Sequence, residues 1–237
     1  SPSKEMKKIT ILEGWSLNQI KQKFHKDFDI DTLRFDRLCH DKKFISHLGI
    51  EAVSLEGYLY PDTYSFSVDL SMSETKEVDI IQTLVSEFKK KYSNSISSKD
   101  ISLSMHEIVT LASIIQGECV YPDEMYRVSS VYTNRLNKGW KLQADPTIQY
   151  IIPGKNKRLY NKDYTDSGND SPYNTYLYNG LPPGPINSPG IDAIKAAAYP
   201  EKTDYMFFVA KGNNRHYFTK TENEHINAKN KFLKKVW

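Results

Sequence analysis

LASIIQGECV, residues 111–120, closes an apolar stretch on Gln116, Gly117 and Glu118. At about 100° per residue, a helix running from about Ser104 to Cys119 puts Ile108, Leu111, Ile115 and Glu118 on one stripe. A carboxylate at the last turn of an apolar face has two readings. In the first it caps a helix or pairs with Arg127 or Arg135 on the following helix, because buried Glu residues are usually paired. In the second it is kept dry to hold a proton. Burial disfavours its charged form, and the C-terminal end of the helix dipole acts in the same direction. A Glu held protonated near neutral pH is a general acid.

Outward from this helix the pattern is mixed α and β. KKITIL (7–12) reads as a strand and SLNQIKQKF (16–24) as a helix, with Ser16 and Gln19 in capping-box spacing. A second short helix starts near Asp31 and runs through Leu38. LEGYLYPDTYSF (55–66) is aromatic and turn-rich, with a turn at Pro61-Asp62. Val78, Ile81, Val85 and Phe88 recur at helical spacing within 71–92. Another helix spans Pro122 to Asn137, with Pro122 in its first turn and Gly139 as its stop. Residues 140–188 carry many Gly, Pro, Asn, Asp and Tyr without period, and such a long loop region is functional or disordered. A short helix opens at Ser188-Pro189 and ends before Pro200. YMFFVAK and RHYFTK around GNN read as a β-hairpin, and Thr221 with Glu224 opens a last helix.

The 237 residues include 39% hydrophobic and 26% charged residues, an ordinary globular balance. A net charge of +3, evenly spread, argues against nucleic-acid binding. The 16 Tyr suit sugar binding and plain packing alike. Cys39 and Cys119 form no metal-ligand spacing and read as two buried free thiols, one disulfide being the alternative. No apolar run of about 18 residues is present, and no secretory signal. His106 reads as a satisfied interior histidine, and His216 and His225 have no metal-ligand spacing. Nothing calls for a metal or organic cofactor.

LEGYLYPDTYSF (55–66), ASIIQGEC (112–119), VYTNRLNKGWKLQADPTIQY (131–150), SPYNTYLYNGLPPGPINSPGIDAIKAAAYP (171–200) and YMFFVAKGNNRHYFT (205–219) follow one another in an order that resembles that of the YceG-like endolytic murein transglycosylases. The chain closely resembles that family over nearly its whole length. The resemblance implies an α+β fold: a small LysM-like αβ subdomain, residues 1–53, then a larger catalytic domain, residues 54–237. It implies cleavage of the β-1,4 bond between N-acetylmuramic acid and N-acetylglucosamine in peptidoglycan glycan strands, leaving a 1,6-anhydro end. The family's catalytic residue is the second acidic position of an ASIVEKET-like motif, which falls on Glu118 here. The first acidic position is Gln116 in this chain, so that residue is not an acid, and the family's Thr after the Glu is Cys119. The resemblance also implies a single N-terminal membrane helix lying outside this sequence, a catalytic part on the outer side of the cytoplasmic membrane, and work beside the peptidoglycan synthesis machinery.

Around Glu118 the expected substrate-binding residues are Glu56, Tyr64, Gln143, Asp145, Tyr173 and Asn174. Tyr faces stack on sugar rings, and amides and carboxylates bond hydroxyls and acetamides. Glu56 is also expected to raise the pKa of Glu118 by like-charge repulsion. Asn134 and Arg135 are expected to hold the helix against the loops, and LPPGPINSPG (181–190) to shape one cleft wall. Two other readings compete. One is a hydrolytic muramidase, whose second carboxylate, about 5 to 9.5 Å away, would be Asp145 or Glu56, Asp62 being a further candidate. The other is a glycan-binding protein without catalysis, against which the placement of Glu118 on an apolar stripe argues.

Overall fold

The computed structural model describes residues 5–97, 101–152, 159–165 and 170–232. The chain begins with strand β1 (Met6–Thr10) and helices α1 (Leu17–Phe28), α2 (Thr32–His40) and α3 (Lys42–His47), then strand β2 (Thr63–Ser67). Helices α4 (Lys76–Ser95), α5 (Met105–Glu118), α6 (Pro122–Asn137), α7 (Asp145–Ile151), α8 (Asn161–Thr165) and α9 (Ile191–Ala198) follow. Strands β3 (Phe207–Gly212) and β4 (Arg215–Thr219) and helix α10 (Glu222–Phe232) complete the described chain. Two antiparallel two-stranded sheets stand against the helices, an α+β architecture.

β1 pairs with β2 in register from Met6 opposite Ser67 to Thr10 opposite Thr63. This ladder joins residues on either side of the expected boundary at residue 53. The α1 capping box forms as the spacing predicts: the Ser16 hydroxyl takes the Gln19 N–H, and the Gln19 side chain takes the Ser16 N–H. Phe24 and Phe28 of α1 meet Phe66 of β2 edge-on, with ring centroids 5.7 and 5.6 Å apart. Their burial with Ile9 and Ile20 closes this small unit. The core does not stop there. One continuous apolar cluster runs from Ile9 through α5 to Ala198. Backbone bonds Gly14 N–H to Ser188 O and Ser188 N–H to Trp15 O, both 2.8 Å, tie the β1–α1 turn to the later segment.

Helix α5 is the central element. Ser104 and Glu107 form its capping box, and every residue from Ile108 to Ile115 is buried. The stripe expected for Glu118 is therefore one part of a helix covered on all sides, as a helix without a polar face must be. Alanines 193, 196, 197 and 198 let α9 lie close against α5. The helix expected over 71–92 begins later. A 3₁₀ turn occupies Val68–Met72, and Ser73 and Thr75 bond each other and the Thr75 N–H. Such side-chain bonds compete with the helix ladder, and α4 starts at Lys76.

At the C-terminal end, Asn213 and Asn214 have φ of 55° and 54°, the left-handed pair that a two-residue hairpin turn requires. The Thr221–Glu224 capping bonds form, and α10 folds back on β3. Cys39 and Cys119 are both buried and unpaired.

Candidate active site

Glu118 is the last residue of α5 and opens into a cleft of about 540 Å³. Its Oε1 accepts a 2.6 Å hydrogen bond from the hydroxyl of Tyr132 on α6. Among the described residues no hydrogen bond reaches Oε2. Tyr132 is 1% exposed, and burial pushes its hydroxyl well above the ordinary range, so it stays a donor. Burial also raises the Glu118 carboxyl to about 7. The Tyr132 bond opposes that rise, the Asp145 charge adds to it, and Arg135 opposes it more weakly. The pairing alternative is not realised. Arg127 bonds Glu201 at 3.2 Å. Arg135 gives Nε to the Met206 carbonyl and Nη1 to the Leu142 carbonyl, while Asn134 holds the carbonyls of Thr203 and Tyr205. Both side chains fasten α6 to its neighbouring loops, as expected.

The opposite wall comes from the aperiodic region. Gln143 adopts φ 51° and gives its N–H to the Thr175 carbonyl. A non-glycine residue in the left-handed region is strained and recurs at functional sites. Ala144 N–H bonds the Thr175 hydroxyl, which also meets Thr147 at 2.9 Å. These contacts place Asp145 at the first turn of α7, beside Pro146. Tyr176 donates to Asp145 Oδ1 at 2.6 Å, and Tyr164 packs on Tyr176 with centroids 4.6 Å apart. Phe208, Val209, Ala210 and His216 of the hairpin and His225 and Lys229 of α10 close the remaining side. Burial and the charges of Lys229 and Arg135 lower His225 to about 4, so its ring is neutral. Among the described residues no group of three or more His, Cys, Asp or Glu is placed to hold a metal.

The sequence model of the YceG-like family matches residues 1–231. The chain belongs to the YceG-like family. It is similar to proteins named endolytic murein transglycosylase: 35% identical over 95% of the chain to one from Bacillus subtilis, and 30% identical over 93% of the chain to one from Streptococcus pneumoniae. The chain spans 65% of the length of the first and 45% of the second. A crystal structure of a YceG-like protein from Listeria monocytogenes superposes with a TM-score of 0.78 at 32% identity, covering 93% of this chain and 75% of that one.

Of the residues expected at this YceG-like site, Glu118, Gln143 and Asp145 share the cleft. Glu56 does not. It lies in a second cavity of about 710 Å³, which Gly117 and Pro146 also line. There its Oε1 accepts the Leu17 N–H at 2.8 Å. Burial raises its carboxyl to about 7, against bonds from the Leu17 and Gly57 N–H groups. A carboxylate at the first turn of α1 suits the helix dipole, and the like charge acting on Glu118 is that of Asp145. Tyr64 is a core residue, 8% exposed, whose hydroxyl bonds the Tyr60 carbonyl. Tyr173 packs on Tyr150, which lines the Glu56 cavity, with centroids 5.1 Å apart. Asn174 is fully buried: its Oδ1 takes the Tyr176 N–H and its Nδ2 reaches the Tyr164 carbonyl. It shapes the loop that carries Tyr176. Asp62 is a turn residue, taking the Thr63 N–H and facing Lys91 at 3.3 Å.

Other expectations resolve in the same way. LPPGPINSPG runs along α5 and lines the Glu56 cavity through Ile186 and Asn187. Gln116 accepts the Gly190 N–H at 2.9 Å and joins α5 to the start of α9. His106 is satisfied by the Tyr58 hydroxyl and the Pro183 carbonyl. Sequence reasoning missed Tyr132, Tyr164, Tyr176, His225 and Lys229. Tyr132 had a signal, since it sits one turn before Arg135 on the same face of α6. Tyr176 stands three residues after Tyr173 in the same run and had none to separate it.

Proposed function

We propose that this chain is the catalytic part of an endolytic peptidoglycan lytic transglycosylase, with Glu118 as the single acid and base. The observation that carries this reading is a carboxyl poised near 7 in a cleft, one oxygen held and the other open. The position agrees with that of the catalytic acid implied by the family motif. The names of the relatives support the substrate class.

Glu118 Oε2 donates its proton to the glycosidic oxygen between N-acetylmuramic acid and N-acetylglucosamine. The C1–O bond breaks and the N-acetylglucosamine leaves as an alcohol. The muramic C6 hydroxyl attacks the same C1 and closes the 1,6-anhydro ring. Its proton passes to the Glu118 carboxylate, which restores the starting acid. No water is consumed. Tyr132 fixes the carboxyl so that one oxygen both gives and takes the proton. Phe208 and Val209 present apolar surface on one side of the cleft, and Gln143 is placed for hydroxyl or acetamide contacts.

A second reading has one observation in its favour. Asp145 lies in the same cleft and its charge acts on Glu118, so a hydrolytic muramidase would have its second carboxylate there. Product chemistry separates the two. Mass spectrometry of peptidoglycan digested by the chain and by Glu118→Gln is the test. Anhydromuramic ends made only by the parent chain support transglycosylation. Reducing ends support hydrolysis, and glycan binding without any cleavage would favour a non-catalytic role.

In the full-length protein we place the activity outside the cytoplasmic membrane, on a single-pass anchor and beside the synthesis machinery. Among the described residues no helix is long and apolar enough to cross a membrane. Residues up to about 53, with β2, are proposed to act as a LysM-like unit against the catalytic part.

A further inference from the structure

The cleft has a rim that the chemistry above leaves unused. Two segments that supply cleft residues, 139–145 and 174–179, meet beyond the cavity, where Asn179 Nδ2 donates to the Gly139 carbonyl at 3.0 Å. This contact brings two exposed rings to one edge, Trp140 at 45% exposure and Tyr178 at 47%. A single exposed aromatic needs no explanation, but the ordering of this one does. The Trp140 backbone N–H is held by the Arg135 carbonyl at 2.9 Å. Its ring lies 6.1 Å from Phe207. Phe207 is stacked on His225 at 5.0 Å and 20°, with the Arg135 guanidinium 5.3 Å from its centre. His225 lines the cleft that holds Glu118. A row of rings thus leads from the surface to the wall of the cleft that holds Glu118.

We propose that Trp140, with Tyr178 beside it, is an outer subsite that stacks on a sugar ring of the bound glycan strand. This rests on the reading of the chain as glycan-cleaving. An indole face covers the C–H face of a pyranose and leaves its hydroxyls in water, which suits a half-exposed ring. The spacing fits as well. Trp140 lies three positions before Gln143 of the cleft, a reach of at most about 10 Å, which is the length of about two sugar residues. A subsite outside the cleft engages only strands long enough to reach it, and so favours cleavage inside a strand over cleavage at its tip.

The test joins binding to turnover. N-acetylglucosamine oligomers of increasing length are added to Glu118→Gln while the indole N–H resonance of Trp140, assigned with Trp140→Phe, is followed by NMR. In parallel, KM and kcat are measured on long and short glycan strands for the parent chain, Trp140→Ala and Trp140→Tyr. We expect the resonance to shift once the oligomer is long enough. Trp140→Ala should raise KM on long strands roughly tenfold, the size of one aromatic contact, with kcat unchanged and short strands unaffected. Trp140→Tyr should restore most of the loss. Turnover with equal KM for all three chains overturns the subsite and leaves the cleavage reading standing. A shifted Trp140 resonance without turnover by any chain keeps the subsite and removes the cleavage reading. Oligomers of every length leaving the resonance unmoved overturn the subsite whatever the turnover.

Discussion

Replacing Glu118 by Gln should remove activity and at the same time stabilise the protein in alkaline solution. Burial lifts the Glu118 carboxyl from 4.5 to about 7. A carboxyl whose pKa is raised by folding binds its proton more tightly in the folded state. Its contribution therefore favours folding below about pH 4.5 and is lost as pH rises through about 7. At about 1.4 kcal/mol per pKa unit, the ionised Glu118 costs roughly 3 kcal/mol of stability by about pH 8.5. Gln has nearly the shape of the protonated acid, its carbonyl can still accept from Tyr132, and it does not ionise. Glu56, raised to about 7 by its own burial, is present in both chains and cancels from the comparison. Urea unfolding of the two chains at about pH 4.5 and about pH 8.5 should show similar stability in acid. The variant should be ahead by up to about 3 kcal/mol in alkali. A difference that stays constant across this range would mean that Glu118 ionises in the folded protein as freely as in the unfolded chain. The case for it as the acid would then fail.

Three further outcomes follow from the same cleft. Asp145→Asn removes the like charge that raises Glu118, so the alkaline fall of kcat/KM, centred near 7, should move to lower pH. Tyr132→Phe removes the bond that lowers Glu118, so that fall should move to higher pH. Its kcat should drop as well, and the buried Oε1 left without a donor should cost about 1–3 kcal/mol of stability. Gly117→Ala would place a Cβ 2.7 Å from Pro146 Cβ. In place of the usual gain of Ala over Gly in a helix, thermal melting should show a loss of about 1–3 kcal/mol, with reduced kcat as α7 shifts Asp145.

The helices were legible wherever a local code sets them. Ser16 with Gln19, Thr221 with Glu224 and Pro122 in a first turn each place a helix end through contacts within four residues, and the structure has each of them. Glu118 was legible because a carboxylate among Ile108, Leu111 and Ile115 conflicts with its surroundings. The pairing of β1 with β2 was not, since nothing local in residues 6–10 names a partner beyond the first three helices. Nor was the side of the wall on which each polar residue falls. Glu56 and Asp145 are both carboxylates in aromatic, proline-marked segments, yet they line different cavities. Tyr173, Asn174 and Tyr176 stand within four residues of an aperiodic loop, and only its fold turns Tyr176 toward Asp145. Period assigns faces in helices and strands, and such a loop has no period.

The ladder between β1 and β2 has a consequence during synthesis. Thr10 and Thr63 face each other across 53 positions of sequence. At about 5–20 residues per second, a newly made β1 spends roughly three to ten seconds outside the ribosome before its partner is complete. Through that interval it is an open edge carrying Ile9, with Ile11 just beyond it, the kind of segment that pairs with other chains. Lys7 and Lys8 sit beside these isoleucines, and both are exposed in the finished fold. Their like charges keep two nascent strands apart until Thr63–Ser67 arrives; in the finished fold Lys7 then turns to the Asp27 carbonyl and carboxylate of α1.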